Sequence, residues 1–127
     1  MMEKRYSYVI RTYLNASHAM RWPNQLGQKH SHTWEIICQI KKQNVKKFIK
    51  FNQMEDQISA ALQPFQNQFL NEIAPFDHVN PSLENLTDYF FDQINVQLES
   101  IDCVLLQLQL GESPTRFYRI DAAESGF

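Results

Sequence analysis

The sequence predicts an α+β protein in which two helices are inserted between the two hairpins of an antiparallel four-stranded sheet (ββααββ). Apolar and polar residues alternate before residue 42 and after residue 103, whereas apolar residues follow helical spacing between residues 51 and 98. A chain of 127 residues with 43% hydrophobic residues suits one core, so we expect a single domain over residues 1–127. Because neighbouring subunits can pair the exposed edges of so small a sheet into a closed barrel, we also expect a homo-oligomer.

Four segments alternate as strands do. The first covers residues 6–14 and keeps the same parity as far as His18. After a loop over residues 22–29, the second covers residues 30–41 and places His30 and His32 on an apolar face with Trp34, Ile36, Cys38 and Ile40. In the third, the apolar positions are Val104, Leu106, Leu108 and Leu110. The fourth covers residues 115–120, after a turn at residues 112–114.

Two segments have the helical period. The first begins at Phe51, with Asn52 and Glu55 as a start resembling a capping box, and its apolar stripe is Phe51, Met54, Ile58, Leu62 and Phe65. Pro64 should end or kink it. The second begins with Asn80 as the N-cap and Pro81 at the first helical position, and it ends near Leu98. Its stripe is Leu83, Leu86, Phe90 and Ile94.

Three histidines form the candidate functional site. A strand places residues i and i+2 on one face, roughly 6.5–7 Å apart, so the imidazoles of His30 and His32 can reach one ion. His18 lies at the end of the first strand. Three neutral imidazoles with an open fourth position are typical of catalytic zinc. The alternative is that these rings are hydrogen-bonded core groups without a metal.

Composition and charge narrow the classes of partner. Twelve basic against fourteen acidic residues, with no basic stripe, give no reason to expect a nucleic acid or a membrane as partner. We interpret the one basic run as a solvated strand end and turn; it consists of Lys41, Lys42, Lys46, Lys47 and Lys50. Residues 1–5 do not lead into the apolar stretch of a signal peptide, so we expect a cytoplasmic location. Cys38 and Cys103 are interpreted as buried sheet residues, with a disulfide between them left open.

Five motifs in register resemble the family of 6-pyruvoyl tetrahydropterin synthases and 6-carboxytetrahydropterin synthases. The resemblance covers nearly the whole chain. The motifs are Ala-Ser-His18, Gly27-x-x-His30-Ser-His32, Leu70-Asn71-Glu-Ile, Asn80-Pro81-Ser82-Leu83-Glu84-Asn85-Leu86 and Glu112-Ser113-Pro114-Thr115.

The resemblance implies the tunnelling fold, in which subunits close into a trimeric barrel and two such rings usually stack into a hexamer. It also implies that His18, His30 and His32 bind zinc (Zn2+) at the subunit boundary. Glu112 matches the glutamate that holds the guanidinium-like edge of the pterin. Ser82 matches a threonine near the pterin, although the chemistry of a helix start explains a serine there equally well.

The chain departs from this family at its proton-transfer residues. The synthases carry a catalytic triad of cysteine, aspartate and histidine, and the matching positions here are Leu26, Gln66 and Asn67, none of which titrates near neutral pH. His78 is a weak candidate for a catalytic role, because an alignment that makes Asp77 and His78 the dyad breaks the adjacent Asn80-Pro81 match. The other interpretation of His78 is a loop residue before a helix.

Two functional hypotheses follow from these residues. The first is a zinc-dependent pterin enzyme, a carbon-oxygen lyase that acts on dihydroneopterin triphosphate or a related pterin, with altered or reduced activity. The alternative is a non-catalytic metal- and pterin-binding paralogue that acts as a sensor, carrier or assembly partner. The loss of all three proton-transfer groups favours the alternative, while the retained histidines and Glu112 are needed by both.

Overall fold

The four long strands of the protein form one antiparallel sheet, in which each long strand pairs with the next one along the chain. The computed structural model describes residues 1–123. The sheet consists of β1 (Tyr8–His18), β4 (His30–Lys42), β5 (Cys103–Ser113) and β6 (Arg116–Asp121), and the helices between its two hairpins are α1 (Phe51–Leu62) and α2 (Leu83–Glu99). The predicted α+β class and ββααββ order are therefore confirmed.

The register of the first hairpin brings the histidines together. β1 and β4 pair from Tyr8 opposite Ile40 at one end to His18 opposite His30 at the other. Because residues alternate between faces, the even-numbered positions of both strands lie on the face that the helices cover. Its buried residues include Leu14, Trp34, Ile36, Cys38 and Ile40. The histidines therefore lie at the end of the row that forms the core.

The helices begin at different caps from those predicted. For α1 the N-cap is Lys50, and the side chain of Gln53 accepts a hydrogen bond of 2.8 Å from its backbone N–H, so Asn52 and Glu55 do not form the predicted capping box. For α2 the N-cap is Ser82, whose Oγ accepts from the N–H of Asn85 at 3.1 Å. The prediction of Asn80 and Pro81 as N-cap and first helical residue was therefore wrong by two residues.

Pro64 acts as predicted: α1 ends at Leu62 and is followed by a 3₁₀ turn, Gln63–Phe65. A second 3₁₀ turn covers Leu70–Glu72. Met54, Ile58, Leu62 and Phe65 are buried as the apolar stripe predicts, but Phe51 is 57% exposed at the first turn.

Three other local predictions also needed correction. The loop after His18 contains a two-stranded hairpin of β2 (Arg21–Trp22) and β3 (Gln25–Leu26). β1 begins at Tyr8, so Tyr6 lies outside it and is exposed. In β5 a bulge shifts the register so that Ile40 pairs with Leu105, which is buried, whereas Val104 is only half-buried.

Within residues 1–123, the outer edge of β1 is covered near its histidine end and not along the rest of the strand. The N–H of Asn67 donates to the carbonyl of Asn15 at 2.6 Å, and the N–H of Ser17 donates to the carbonyl of Gln68 at 2.9 Å. The side chain of Gln66 continues this pairing, since it accepts from the N–H of Asn15 at 3.0 Å and donates to the carbonyl of Tyr13 at 3.0 Å. Residues 66–68 thus pair with this half of the edge.

Both cysteines are buried free thiols, so the disulfide left open by the sequence does not form. Burial raises the pKa of Cys38 to about 12, which keeps it a neutral thiol at ordinary pH. Among residues 1–123, the structure contains no helix with the length and apolar character that crossing a bilayer requires.

Candidate functional site

The three predicted histidines converge at the end of the β1–β4 hairpin. One ring nitrogen from each of His18, His30 and His32 lies within 4.8 Å of the other two. Their ring centroids are 4.5 to 5.0 Å apart. The three side chains lie together because strand register places His18 opposite His30 and the two-residue repeat places His32 beside it.

Hydrogen bonds fix the orientation of two of the rings. His18 Nδ1 lies 2.7 Å from the carbonyl oxygen of Pro81, and His30 Nδ1 lies 3.0 Å from that of Gln28. A carbonyl oxygen only accepts, so both Nδ1 atoms carry the hydrogen and donate it. In the neutral rings the Nε2 atoms then hold lone pairs, and these two Nε2 atoms lie 3.0 Å apart. Such facing lone pairs repel each other unless a cation or proton lies between them.

The third ring also presents an unsatisfied nitrogen. His32 Nε2 is buried without a hydrogen-bond partner, and the nearest carboxylate, that of Glu112, is 3.7 Å away. Burial lowers the pKa of His18 and of His32, so neutral rings are favoured in both despite the opposing effect of Glu112. The indole of Trp34 is fully buried against these two rings, with centroids 5.0 and 4.9 Å away, and closes the apolar side of the site.

This donor set fits a zinc ion. Two nitrogens bound to a tetrahedral zinc at 2.0–2.1 Å lie about 3.3 Å apart, which is close to the observed separation of the His18 and His30 nitrogens. Zinc-bound histidines almost always donate their other N–H to a carbonyl or carboxylate, as His18 and His30 do here. The alternative of satisfied core histidines explains neither the facing lone pairs nor the unpartnered His32 nitrogen.

Two asparagines hold the chain that follows His18, and the sequence alone did not indicate this role. The buried Asn71 accepts from the N–H of Ala19 at 2.9 Å and donates to its carbonyl at 2.7 Å. Asn80 does the same for Arg21, at 2.9 and 3.2 Å. Each amide thus satisfies both backbone groups of one residue, which fixes the exit of the chain from the site. Both residues belong to motifs that carry the family resemblance, and this was the only indication in the sequence that they matter for the site.

Glu112 and Ser82 both lie near the histidines. Glu112, near the end of β5, is half-buried with its carboxylate beside His32. Ser82 follows Pro81, whose carbonyl holds His18, and the hydroxyl oxygen of Ser82 caps α2. The helix-start interpretation of Ser82 is therefore correct, and its O–H remains available as a donor.

The three positions that match the family triad carry no proton-transfer group. Leu26 is 61% exposed on the β2–β3 hairpin. Both amide atoms of Gln66 are hydrogen-bonded to the β1 backbone. Asn67 is exposed and has a φ of 61°, a left-handed conformation that asparagine tolerates better than most residues. The sequence prediction of unreactive side chains at these positions is consistent with these placements.

His78 forms a separate exposed pair. Its Nδ1 lies 2.7 Å from the Asp77 carboxylate, and the hydrogen bond lowers the pKa of Asp77. Its side chain is 84% exposed. Among the described residues, the group of potential metal ligands contains His18, His30 and His32 and does not include His78.

Comparison with known proteins agrees with this geometry. Residues 7–123 match the family described as 6-pyruvoyl tetrahydropterin synthase. No curated protein sequence matches the chain significantly.

Among solved structures, the 6-pyruvoyl tetrahydropterin synthase of Caenorhabditis elegans is similar in fold, with a TM-score of 0.77 at 12% identity, over 93% of this chain and 96% of that one. The synthase of Plasmodium falciparum gives a TM-score of 0.65 at 12% identity, over 91% and 98%. That of Plasmodium vivax gives 0.67 at 11% identity, over 91% and 96%. The fold is therefore the tunnelling fold of these proteins. Since the family match spans the sheet, both helices and all three histidines, this chain belongs to the 6-pyruvoyl tetrahydropterin synthase family.

Proposed function

We propose that residues 1–127 form one 6-pyruvoyl tetrahydropterin synthase-like domain that binds zinc and acts on dihydroneopterin triphosphate or a related pterin. His18, His30 and His32 are the proposed zinc ligands. The observation that carries the proposal is the pair of Nε2 atoms of His18 and His30, which face each other at 3.0 Å while both Nδ1 atoms donate to carbonyls. A cation resolves the repulsion between these lone pairs, and family membership makes zinc the expected one.

The residues around this centre have distinct proposed roles. A bound zinc supplies Lewis acidity to oxygens of the pterin side chain. The carboxylate of Glu112 accepts two parallel hydrogen bonds from the guanidinium-like edge of the pterin and so orients the ring. The Pro81 and Gln28 carbonyls keep two histidine rings aimed at the centre, and Trp34 excludes water from one side.

The proposed activity is lower than that of a synthase with its full triad. General acid and base groups typically contribute about 10²–10⁴-fold each, and Leu26, Gln66 and Asn67 supply none. Gln66 is moreover committed to the β1 backbone through both amide atoms. This observation favours a second candidate, a non-catalytic paralogue that binds metal and pterin as a sensor, carrier or assembly partner.

One experiment separates the two candidates. Zinc-loaded protein is incubated with dihydroneopterin triphosphate, products are analysed chromatographically, and pterin binding is measured by calorimetry. Product that disappears in the His32→Ala variant, and persists in a His78→Ala control, supports the enzyme. Tight binding without product supports the paralogue. Absence of both binding and product would refute the pterin assignment itself.

We further propose that the subunits associate through the sheet edges, as a trimer or hexamer. Part of the outer edge of β1 and the outer edge of β6 have no strand partner within residues 1–123. Pairing these edges between copies closes a barrel and removes both. Sedimentation equilibrium tests this directly, and a monomer at micromolar concentration would contradict it.

A further inference from the structure

A second pocket lies at the opposite end of the β1–β4 hairpin from the histidines. It has a volume of about 870 Å³ and is lined by side chains that include Lys4, Arg5, Tyr6, Tyr8, Lys41 and Lys42. Tyr8 is at the start of β1, which runs for 11 residues to His18, a distance of about 33 Å at the usual rise of a strand. No residue of the histidine site lines this pocket. The pocket is therefore physically separate from the proposed zinc centre.

The charge of this pocket is one-sided. Its lining contains four basic side chains and no carboxylate. Within residues 1–123, Lys4, Arg5 and Lys41 form no ion pair with an acidic side chain. Lys42 is held in place, since its ammonium donates to the carbonyls of Val45 and Lys47 at 3.4 and 3.0 Å. The pocket therefore has a local excess of positive charge, although the chain as a whole has a net charge of −2. Among the described residues, three of its basic side chains have no carboxylate partner, and the fourth is fixed by hydrogen bonds.

This arrangement refines the interpretation of the basic run. Lys47 behaves as a solvated residue of a turn and pairs with Asp102 at 2.8 Å. Lys41 and Lys42, at the end of β4, instead line the same pocket as Lys4 and Arg5 of the N-terminal segment. The side chain of Gln39 donates to Ser7 Oγ at 2.9 Å and fastens the N-terminal segment to β4. The basic side chains therefore lie near one another because of a tertiary contact between the N-terminal segment and β4.

The chemistry of the lining identifies the kind of ligand. Arginine binds phosphate through two parallel hydrogen bonds, while lysines act as point charges, so this set matches several phosphate groups together. Tyr6 and Tyr8 also line the pocket and add aromatic surface to it, and Tyr6 is 75% exposed. The volume lies in the range typical of small-molecule sites.

We propose that this pocket binds a small molecule bearing a polyphosphate chain, at a site distinct from the histidine centre. Two kinds of ligand carry such a chain, inorganic polyphosphate and a nucleoside triphosphate. Contact with the tyrosines distinguishes them, because only the nucleotide has an aromatic base. This site is independent of the proposed pterin chemistry.

Calorimetric titration of the full chain with inorganic triphosphate and with ATP, in the absence of magnesium, tests the proposal. We expect saturable binding with one molecule per chain, weakened about tenfold or more by Arg5→Ala or Lys41→Ala. Lys46→Ala is the matched control, since it removes the same charge from the neighbouring turn outside the pocket, and we expect a change below about twofold. Tighter binding of ATP that Tyr6→Ala reverses assigns the site to nucleotides, and equal affinities assign it to inorganic polyphosphate.

The His32→Ala variant and protein treated with EDTA separate this pocket from the zinc centre, and we expect both to bind triphosphate unchanged. Circular dichroism confirms that each variant is folded. Absence of saturable binding would overturn the proposal. So would equal weakening by Lys46→Ala and Lys41→Ala, which indicates unspecific attraction, or loss of binding in His32→Ala.

Discussion

The Nε2 atoms of His18 and His30 lie 3.0 Å apart although each ring already donates its Nδ1 hydrogen to a backbone carbonyl. Neither ring can turn away without giving up that hydrogen bond. When both rings are neutral, two nitrogen lone pairs are therefore held close together. This arrangement favours a cation that removes the repulsion between them.

Removal of any one of the three rings should abolish tight zinc binding. We expect His18→Ala, His30→Ala and His32→Ala to weaken zinc affinity by more than the roughly 10–100-fold typical of outer-shell partners. His78→Ala is the control, because that ring is exposed and bonded to Asp77. Competition with a chromogenic chelator measures the affinities. Unchanged zinc binding in His32→Ala would exclude this residue as a ligand.

Asn71 should act on the metal through the position of His18. Asn71→Ala removes two buried hydrogen bonds to Ala19, so we expect the free energy of unfolding to fall by about 2–4 kcal/mol and zinc affinity to fall about 10–100-fold. Asn95→Ala is the matched control, since the Asn95 side chain accepts from the N–H of Leu105 at 2.9 Å. We expect that control to lose stability and keep zinc affinity. Equal zinc affinity in the two variants contradicts a positioning role for Asn71.

Glu112 should be needed for the pterin and dispensable for the metal. Glu112→Gln keeps the shape of the side chain but replaces one acceptor oxygen by a donor, so we expect pterin binding to weaken about 10–100-fold. Zinc stoichiometry should remain unchanged. Glu55→Gln makes the same change of charge on the exposed face of α1 and serves as the control. Calorimetry that shows equal pterin affinity in both variants argues against the pterin role.

Gln66 should matter for stability and not for chemistry. Its side chain completes two hydrogen bonds on the β1 edge, so Gln66→Leu should lower the free energy of unfolding by about 1–3 kcal/mol in urea denaturation. Gln68→Leu, next to it and engaged through its backbone, should change stability by less than about 0.5 kcal/mol. Pterin binding should be equal in both. A variant as stable as the wild type would show that these bonds contribute little.

The metal-free protein should lose stability as pH falls below about 6.5. Burial lowers the pKa of His18 and His32 from 6.5 in the folded state, so below that pH the unfolded chain binds more protons. Above pH 6.5 these two rings cause no loss of stability. As the pH falls below 6.5, each ring lowers the free energy of unfolding by at most about 1.4 kcal/mol per pH unit. Urea unfolding in EDTA between about pH 5 and 7 measures the slope. The double variant His18→Gln, His32→Gln should flatten it, and an unchanged slope would assign the loss to other groups.

Periodicity was sufficient to predict that His30 and His32 lie together, whereas the approach of His18 depends on the hairpin register that places it opposite His30. The two-residue repeat of a strand puts His30 and His32 on one face whatever the details of the loops. The β5 bulge was not visible in this way, because residues 103–106 are all apolar and their pattern does not show which of them point into the core. The bulge places Leu105 in the core and leaves Val104 half-buried. The helix caps were misplaced because Asn80 and Ser82 are both good N-cap residues, and tertiary contacts to Arg21 engage the side chain of the first.

The partners of the histidine rings were beyond sequence reasoning for a different reason. Pro81 and Gln28 contribute carbonyl oxygens, which every residue possesses, so their side chains give no signal. The sequence showed that Gln66 stands where the family has its triad aspartate. It could not show the hydrogen bonds of Gln66 to β1, because these depend on the path of the chain after α1. The same holds for the pocket at the other end of the hairpin, which requires residues 4–8 to lie against β4.

The partial cover on the β1 edge has a consequence for assembly. The Tyr13 carbonyl, both backbone groups of Asn15 and the Ser17 N–H are already bonded to residues 66–68. Alternation points the backbone groups of Val9 and Arg11 the same way, and within residues 1–123 they have no such partner. In the proposed assembly, a strand from another copy would pair with β1 only as far as this segment. Residues 66–68 would then limit the register of the incoming strand and keep it away from the histidine end of the edge.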